Sequence, residues 1–260
     1  MKHAIKNKLV LLFFAFGILM FQACSDDDDN NIDESPSAAE GSVELKFDHV
    51  WGPAEANFEL NTEYTHPATS EAITFTKLRY YVSNVVLQKS DGSEWREDQS
   101  YHIVDVASDD TNLRLQNMPA GDYVGISFTI GVDSARNVSG AQTGALDPSE
   151  NMFWSWNSGY IFIKAEGNSP ASVDGSFTYH LGGFSEPNSA IREVSLDFGE
   201  STLRIAPNTE PAVHLMANAA RFWHGGISLN DMSNVHMPGS NASILATNFA
   251  GGFRFDHIHN

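Results

Sequence analysis

Six of the ten His lie beyond residue 179, at His180, His214, His224, His236, His257 and His259, while the single Cys, Cys24, precedes them all. A metal site in this part of the chain must therefore draw on imidazole, thioether or carboxylate donors, because no thiolate and no intramolecular disulfide is available. Apart from His257-x-His259, no two of these His stand at a ligand spacing, so distant segments would have to assemble any site. Three positions suit one best. His180 ends a strand beside Gly182-Gly183, where the backbone leaves room. His236 sits in the loop Asn234-Val235-His236-Met237-Pro238-Gly239. His49 continues an apolar strand face, which makes it either a satisfied core residue or a strand-end ligand. His66 and His102 read as surface or edge residues.

Met152, Phe153, Trp154 and Trp156 fall within five positions. On a strand, residues two apart share a face, so Met152, Trp154 and Trp156 would form one wall. Such a wall either fills a sandwich interior or, if exposed, stacks on a glycan or a partner protein. No GxSxG, Walker loop or HExxH motif occurs, and Asp109-Asp110 lacks the alternation of a calcium loop. A binding protein is expected, not an enzyme.

The elements that must carry these side chains are strands. Ser42 to Val50 alternates, with Val43, Leu45, Phe47 and His49 on one face. Ile73 to Leu87 is rich in β-branched and aromatic residues, with a bulge expected near Ser83-Asn84, and Ser90-Asp91-Gly92-Ser93 is a hairpin turn. Tyr101 to Val106, Asn112 to Gln116 and Tyr123 to Val132 follow as strands. Gly131 to Pro148 reads as an irregular Gly/Asn/Ser-rich loop, and Tyr160 to Lys164 as the continuation of the Trp-bearing strand. From Val173 to Leu181, Phe177, Tyr179 and Leu181 take one face, Thr178 and His180 the other. Ala217 to Phe222 could form a helical turn. Asn241 to Phe249 reads as a helix capped by Ser240 and stopped by Gly251-Gly252. Many short strands and little helix predict an all-β, immunoglobulin-like antiparallel β-sandwich with long loops and one or two short helices.

The first 24 residues read as a signal. Lys2, Lys6 and Lys8 precede the apolar run Leu9 to Phe21, and Ala23-Cys24 follows. This resembles a bacterial lipoprotein signal, in which Cys24 becomes the lipidated N-terminus. Residues 25–40 begin Ser-Asp-Asp-Asp-Asp and form an acidic tether too polar to bury, and residues 41–260 form one domain. Removing the signal takes three of the 15 Lys and Arg and none of the 33 Asp and Glu, leaving 12 bases and a net charge of about −21. That balance excludes nucleic acid as a partner and opposes docking on anionic membranes.

The run GVDSARNVSGAQTGALDP, followed by MFWSWNSGYIFIKAEG and by HLGG at His180 to Gly183, resembles the MbnP-like family of copper proteins found near methanobactin operons, which has lipoprotein relatives in Bacteroidetes. The resemblance runs from Val43 to His259. It implies a β-sandwich holding one copper ion, with a Trp oxidised to kynurenine by a dihaem partner resembling cytochrome c peroxidases. Carried onto this chain, Trp154 and Trp156 are the candidates for modification. His180 is the first candidate ligand, His236 the second and His49 the third. Copper(I) accepts imidazole and thioether, which adds Met152 and Met237. The acidic run after Cys24 looks like the export signal for surface lipoproteins of such bacteria. The expected place is the outer membrane, at the cell surface or, alternatively, on its periplasmic face.

Overall fold

A computed structural model describes residues 39–260 except 109, 110, 141, 156 and 157. Cys24, the acidic run after it, Asp109-Asp110 and Trp156 therefore lie outside the described residues. Strands β1 (Glu40–Trp51), β2 (Ala56–Asn57), β3 (Glu63–Thr65), β4 (Ala72–Lys89), β5 (Glu94–Arg96), β6 (Tyr101–Asp105), β7 (Asn112–Pro119) and β8 (Gly121–Ile130) lead to the single helical turn α1 (Ser134–Asn137). They are followed by β9 (Phe153–Ser155), β10 (Gly159–Asn168), β11 (Ser176–Gly182), β12 (Arg192–Asp197), β13 (Leu203–Ile205), β14 (Ala212–Asn218) and β15 (Asn234–Val235). Helix α2 (Ser240–Ala250) and β16 (Phe253–His259) complete the described chain.

Two sheets form. The smaller has the order β16-β14-β1-β2, with β7 also on β1. The larger runs β12-β8-β4-β10-β11-β15, with β3, β5 and β6 on β4, β9 on β10 and β13 on β8. The sandwich is all-β as expected, but β1 with β14 and β11 with β15 pair in parallel. Both pairs join segments linked by long excursions of chain, the condition a parallel pair requires.

Alternation sets the core. Val43, Leu45, Phe47 and His49 on β1 are all buried, as their spacing predicts. Phe47 meets Tyr80 of β4 and Phe128 of β8 edge to face at 6.1 and 5.8 Å, so rings from the two sheets interlock. The long β4 changes register between Ser83 and Val86, with Asn84 at φ 52°, which is the anticipated bulge. The turn Ala219–Trp223 is 3-10 rather than α, and its Phe222 stacks on Phe249 of α2 at 4.6 Å. Helix α2 forms where its apolar spacing places it. Its N-cap, however, is Gly239 with no side-chain cap, not Ser240.

Three local expectations are corrected. Gly131 to Pro148 is not wholly irregular, because it contains α1 and a 3-10 turn at Gly144–Leu146, with another 3-10 turn following at Pro148–Glu150. Asp133 and Asp147 cap two of these turns by accepting from the Arg136 and Ser149 amides. The Trp-bearing strand does not run on into Tyr160. It folds back as a β9–β10 hairpin, with Gly159 at φ 73°. There a Cβ would strike Asn137 Oδ1, the atom that accepts from the Tyr160 amide. Ser158-Gly159 was a turn signal masked by the flanking aromatics. Val173 lies in an exposed loop, and β11 begins at Ser176.

Candidate metal centre

Strand β11 places its apolar residues inward and His180 outward, as alternation requires. His180 Nε2 stands 2.7 Å from Glu166 Oε1 on β10, and Lys77 of β4 donates to the other carboxylate oxygen at 3.1 Å. Partial burial pulls the His180 pKa down against the opposing pull of Glu166. Burial also pushes Glu166 up, but the hydrogen bonds from His180 and Lys77 outweigh it and hold the carboxyl below its ordinary range. A carboxylate accepts, so Glu166 favours the Nε2–H tautomer and leaves Nδ1 of His180 with the lone pair. This is the arrangement in which a carboxylate orients a metal-binding imidazole.

Strand β15 joins the same edge. Thr178 pairs with Asn234 and Tyr179 with Val235, and both Tyr179 and Val235 are buried. The pairing ends there, and the next residues are His180 on β11 and His236 in the loop after β15. His236 is exposed, and Met237 beside it is 68% exposed. The same corner takes in Trp154, half-buried on β9. A Cβ on Gly182 would lie 2.7 Å from Trp154 Cζ3 and closer still to the Tyr160 carbonyl oxygen, while one on Gly183 would lie 2.9 Å from Pro238 Cβ. The two glycines of HLGG thus allow β9, β11 and the loop after β15 to close on one another. A cleft of about 330 Å³ opens there, lined by Ser158, Gly183, Phe184, Glu186 and Pro238. Replacing Gly182 by Ala should displace the Trp154 indole and lower stability by about 1–3 kcal/mol. A shift in Trp emission together with a lowered denaturation midpoint checks this, and an unchanged spectrum would contradict it.

The remaining predicted ligands lie elsewhere. His49 is 7% exposed and its Nε2 meets the Tyr80 hydroxyl at 3.1 Å, so it is a satisfied core residue in this structure. Met152 is fully buried in the main core. His66, read from sequence as a surface residue, is 1% exposed. Its Nε2 donates to the Ile227 carbonyl at 2.7 Å, and its Nδ1 accepts from the Ala68 and Thr69 amides at 3.0 Å. His102 does sit at an edge, bonded to Glu97.

Among the described residues, the group of three donors close enough to share an ion is His214, His257 and His259, whose ring nitrogens lie within 4.8 Å of one another. Sequence reasoning noted the His257-x-His259 spacing but had no means of bringing His214 to it. The signal lay in the outward phase of β14, where Val213 and Leu215 are buried and His214 is not.

The fold and these sites define a class: an all-β sandwich that carries imidazoles on the outward faces of its strands. Residues 40–238 match the MbnP family, and the chain belongs to that family of methanobactin-associated proteins. The solved structure of MbnP from Methylosinus trichosporium shares the fold at a TM-score of 0.56 and 16% identity, over 78% of this chain and 87% of that one. No curated protein matches the chain.

Proposed function

We propose that this protein binds copper at the β11–β15 corner and acts in copper acquisition or homeostasis as a binding protein, not an enzyme. Its place would be the outer membrane, held by lipid on Cys24 and facing the cell surface. The single observation that carries the reading is the parallel register of β11 and β15. It brings the end of β15, which leads into His236 and the exposed Met237, alongside β11, which carries His180 and whose Gly182 lies against Trp154. These donors fit the metal's chemistry, since copper(I) takes imidazole and thioether without thiolate. In this reading His180 coordinates through Nδ1 while Glu166 holds Nε2–H, His236 supplies the second imidazole, and Met237 turns inward. Trp154 and Trp156 are the residues a dihaem, cytochrome c peroxidase-like partner would convert to kynurenine. The partial burial of Trp154 against Gly182 favours copper over an exposed platform for glycan or protein.

The test is metal analysis with peptide mass spectrometry on protein purified from its own cells. About one equivalent of copper is expected, together with an oxidised mass on the peptide spanning Met152 to Lys164. Replacing His180 and His236 by Ala should abolish that equivalent. Full copper occupancy in the double variant would sink this assignment.

A further inference from the structure

We propose that His214, His257 and His259 form a separate site for a borderline divalent cation, Zn2+ or Cu2+, on the outer face of the smaller sheet. The site does not depend on the copper reading above. Strand pairing sets His214 opposite His257 and Ala212 opposite His259, and the i, i+2 spacing puts both β16 imidazoles on one face.

Two carboxylates stand behind the rings. Asp48 Oδ2 on β1 lies 2.6 Å from His214 Nδ1, and Asp256 Oδ2 lies 2.8 Å from His257 Nδ1. In the neutral ring each bond fixes Nδ1–H and leaves the Nε2 lone pair for a ligand. In His214 that Nε2 is buried and has no hydrogen-bond partner. A buried polar atom without a partner is unfavourable, and a bound cation would satisfy it. The third ring is near, with His259 Nε2 at 3.0 Å from His257 Nε2. A tetrahedral ion with Zn–N bonds of 2.0–2.1 Å sets its nitrogens about 3.3 Å apart, a spacing near that of these ring nitrogens, which lie within 4.8 Å of one another.

One rotation is required. His214 and His257 stack at 4.2 Å with 12° between their planes. A metal lies in the plane of each imidazole it binds, so the exposed His257 must turn out of the stack. Neighbouring cations do not oppose the ion strongly. Lys46, opposite His214, is paired with Glu44, and Arg254 with Glu55. Three imidazoles, two of them backed by a carboxylate, suit a borderline cation better than Ca2+ or Mg2+, which prefer oxygen donors. His257 and His259 lie beyond the segment matched to the family, so the complete triad is a feature of this chain and not of the shared 40–238 region.

The experiment is a chelator competition with Zn2+ or Cu2+ alone, using the protein with His180→Ala and His236→Ala so that the other corner is disabled. One equivalent should bind. Adding His257→Ala and His259→Ala should weaken affinity at least 100-fold. Both side chains are exposed, and unchanged near-ultraviolet circular dichroism would show that the fold is retained. Asp48→Asn should weaken affinity about 10–100-fold, and Cu2+ electron paramagnetic resonance should show coupling to several nitrogens. No stoichiometric binding in the His180/His236 background would overturn the proposal. So would equal affinity after loss of His257 and His259, the mark of an adventitious ion only. Neither result bears on copper at the β11–β15 corner, which the starting chain reports by itself.

Discussion

Replacing Trp223 by Ala is expected to lower the free energy of unfolding by about 3–5 kcal/mol. The indole is fully buried and packs within 6.1 Å, centroid to centroid, of Trp51, Phe75, Phe177, Tyr179 and Phe222. Its Nε1–H donates to the Tyr179 hydroxyl at 3.0 Å, which donates in turn to the Met232 carbonyl at 2.6 Å. Removing the ring leaves a cavity among groups on two sheets, and its neighbours cannot collapse into it without breaking strand pairing. Trp223→Phe keeps much of the volume but removes the donor to Tyr179, so it should cost less. Tyr179 belongs to β11, next to His180, so the Ala variant should also loosen the β11–β15 edge. Urea denaturation monitored by circular dichroism measures the stability change. A loss below about 1 kcal/mol would mean that the aromatic cluster re-packs freely, contrary to this account.

Acidification from pH 6.5 to pH 4 is expected to destabilise the fold by about 3 kcal/mol through His49 alone. Burial lowers the His49 pKa to about 4, against weaker upward pulls from Asp48 and the Phe47 backbone. In the unfolded chain the same imidazole titrates near 6.5. Between these two values the unfolded state takes up the proton and the folded state does not, so stability is complete above about 6.5 and is lost as pH falls toward 4. The carboxyls of Glu71 and Glu166 behave differently. Hydrogen bonds hold both below their ordinary range, and their contribution fades only as pH falls below about 4.5. Unfolding midpoints measured at several pH values in wild type and His49→Gln separate the two windows. The variant should lose most of the slope between pH 6.5 and 4.5, leaving the smaller part that the lowered His180 pKa contributes, and keep the one below it. An unchanged upper slope would rule His49 out as its source.

Much of this architecture is already present in the order of residues. The inward row Val43, Leu45, Phe47 and His49 follows from period-two alternation, and Phe177, Tyr179 and Leu181 opposite His180 from the same rule. A strand buried on one face has only one phase that hides its apolar residues. The helix at Ser240–Ala250 was legible from its spacing and the glycines after it, and the GVDSARN to HLGG run was enough to indicate the family. Reading failed where long-range partners decide. His66 resembles a surface residue until the Ile227 carbonyl and two local amides enclose it. Trp154 looked like part of one continuous strand until Gly159, pressed against Asn137, reversed the chain.

The sequence by itself determined the fold class, the strand faces, the family and the donor types open to a metal site, because each depends on local periodicity, composition or a contiguous motif. Tertiary structure alone decided which imidazoles meet. The segments leading to His180 and His236 lie side by side because β11 and β15 pair in parallel, and His214 joins His257 and His259 because β14 lies between β1 and β16. Such pairings depend on registers between strands far apart in the chain, and no local pattern encodes a register.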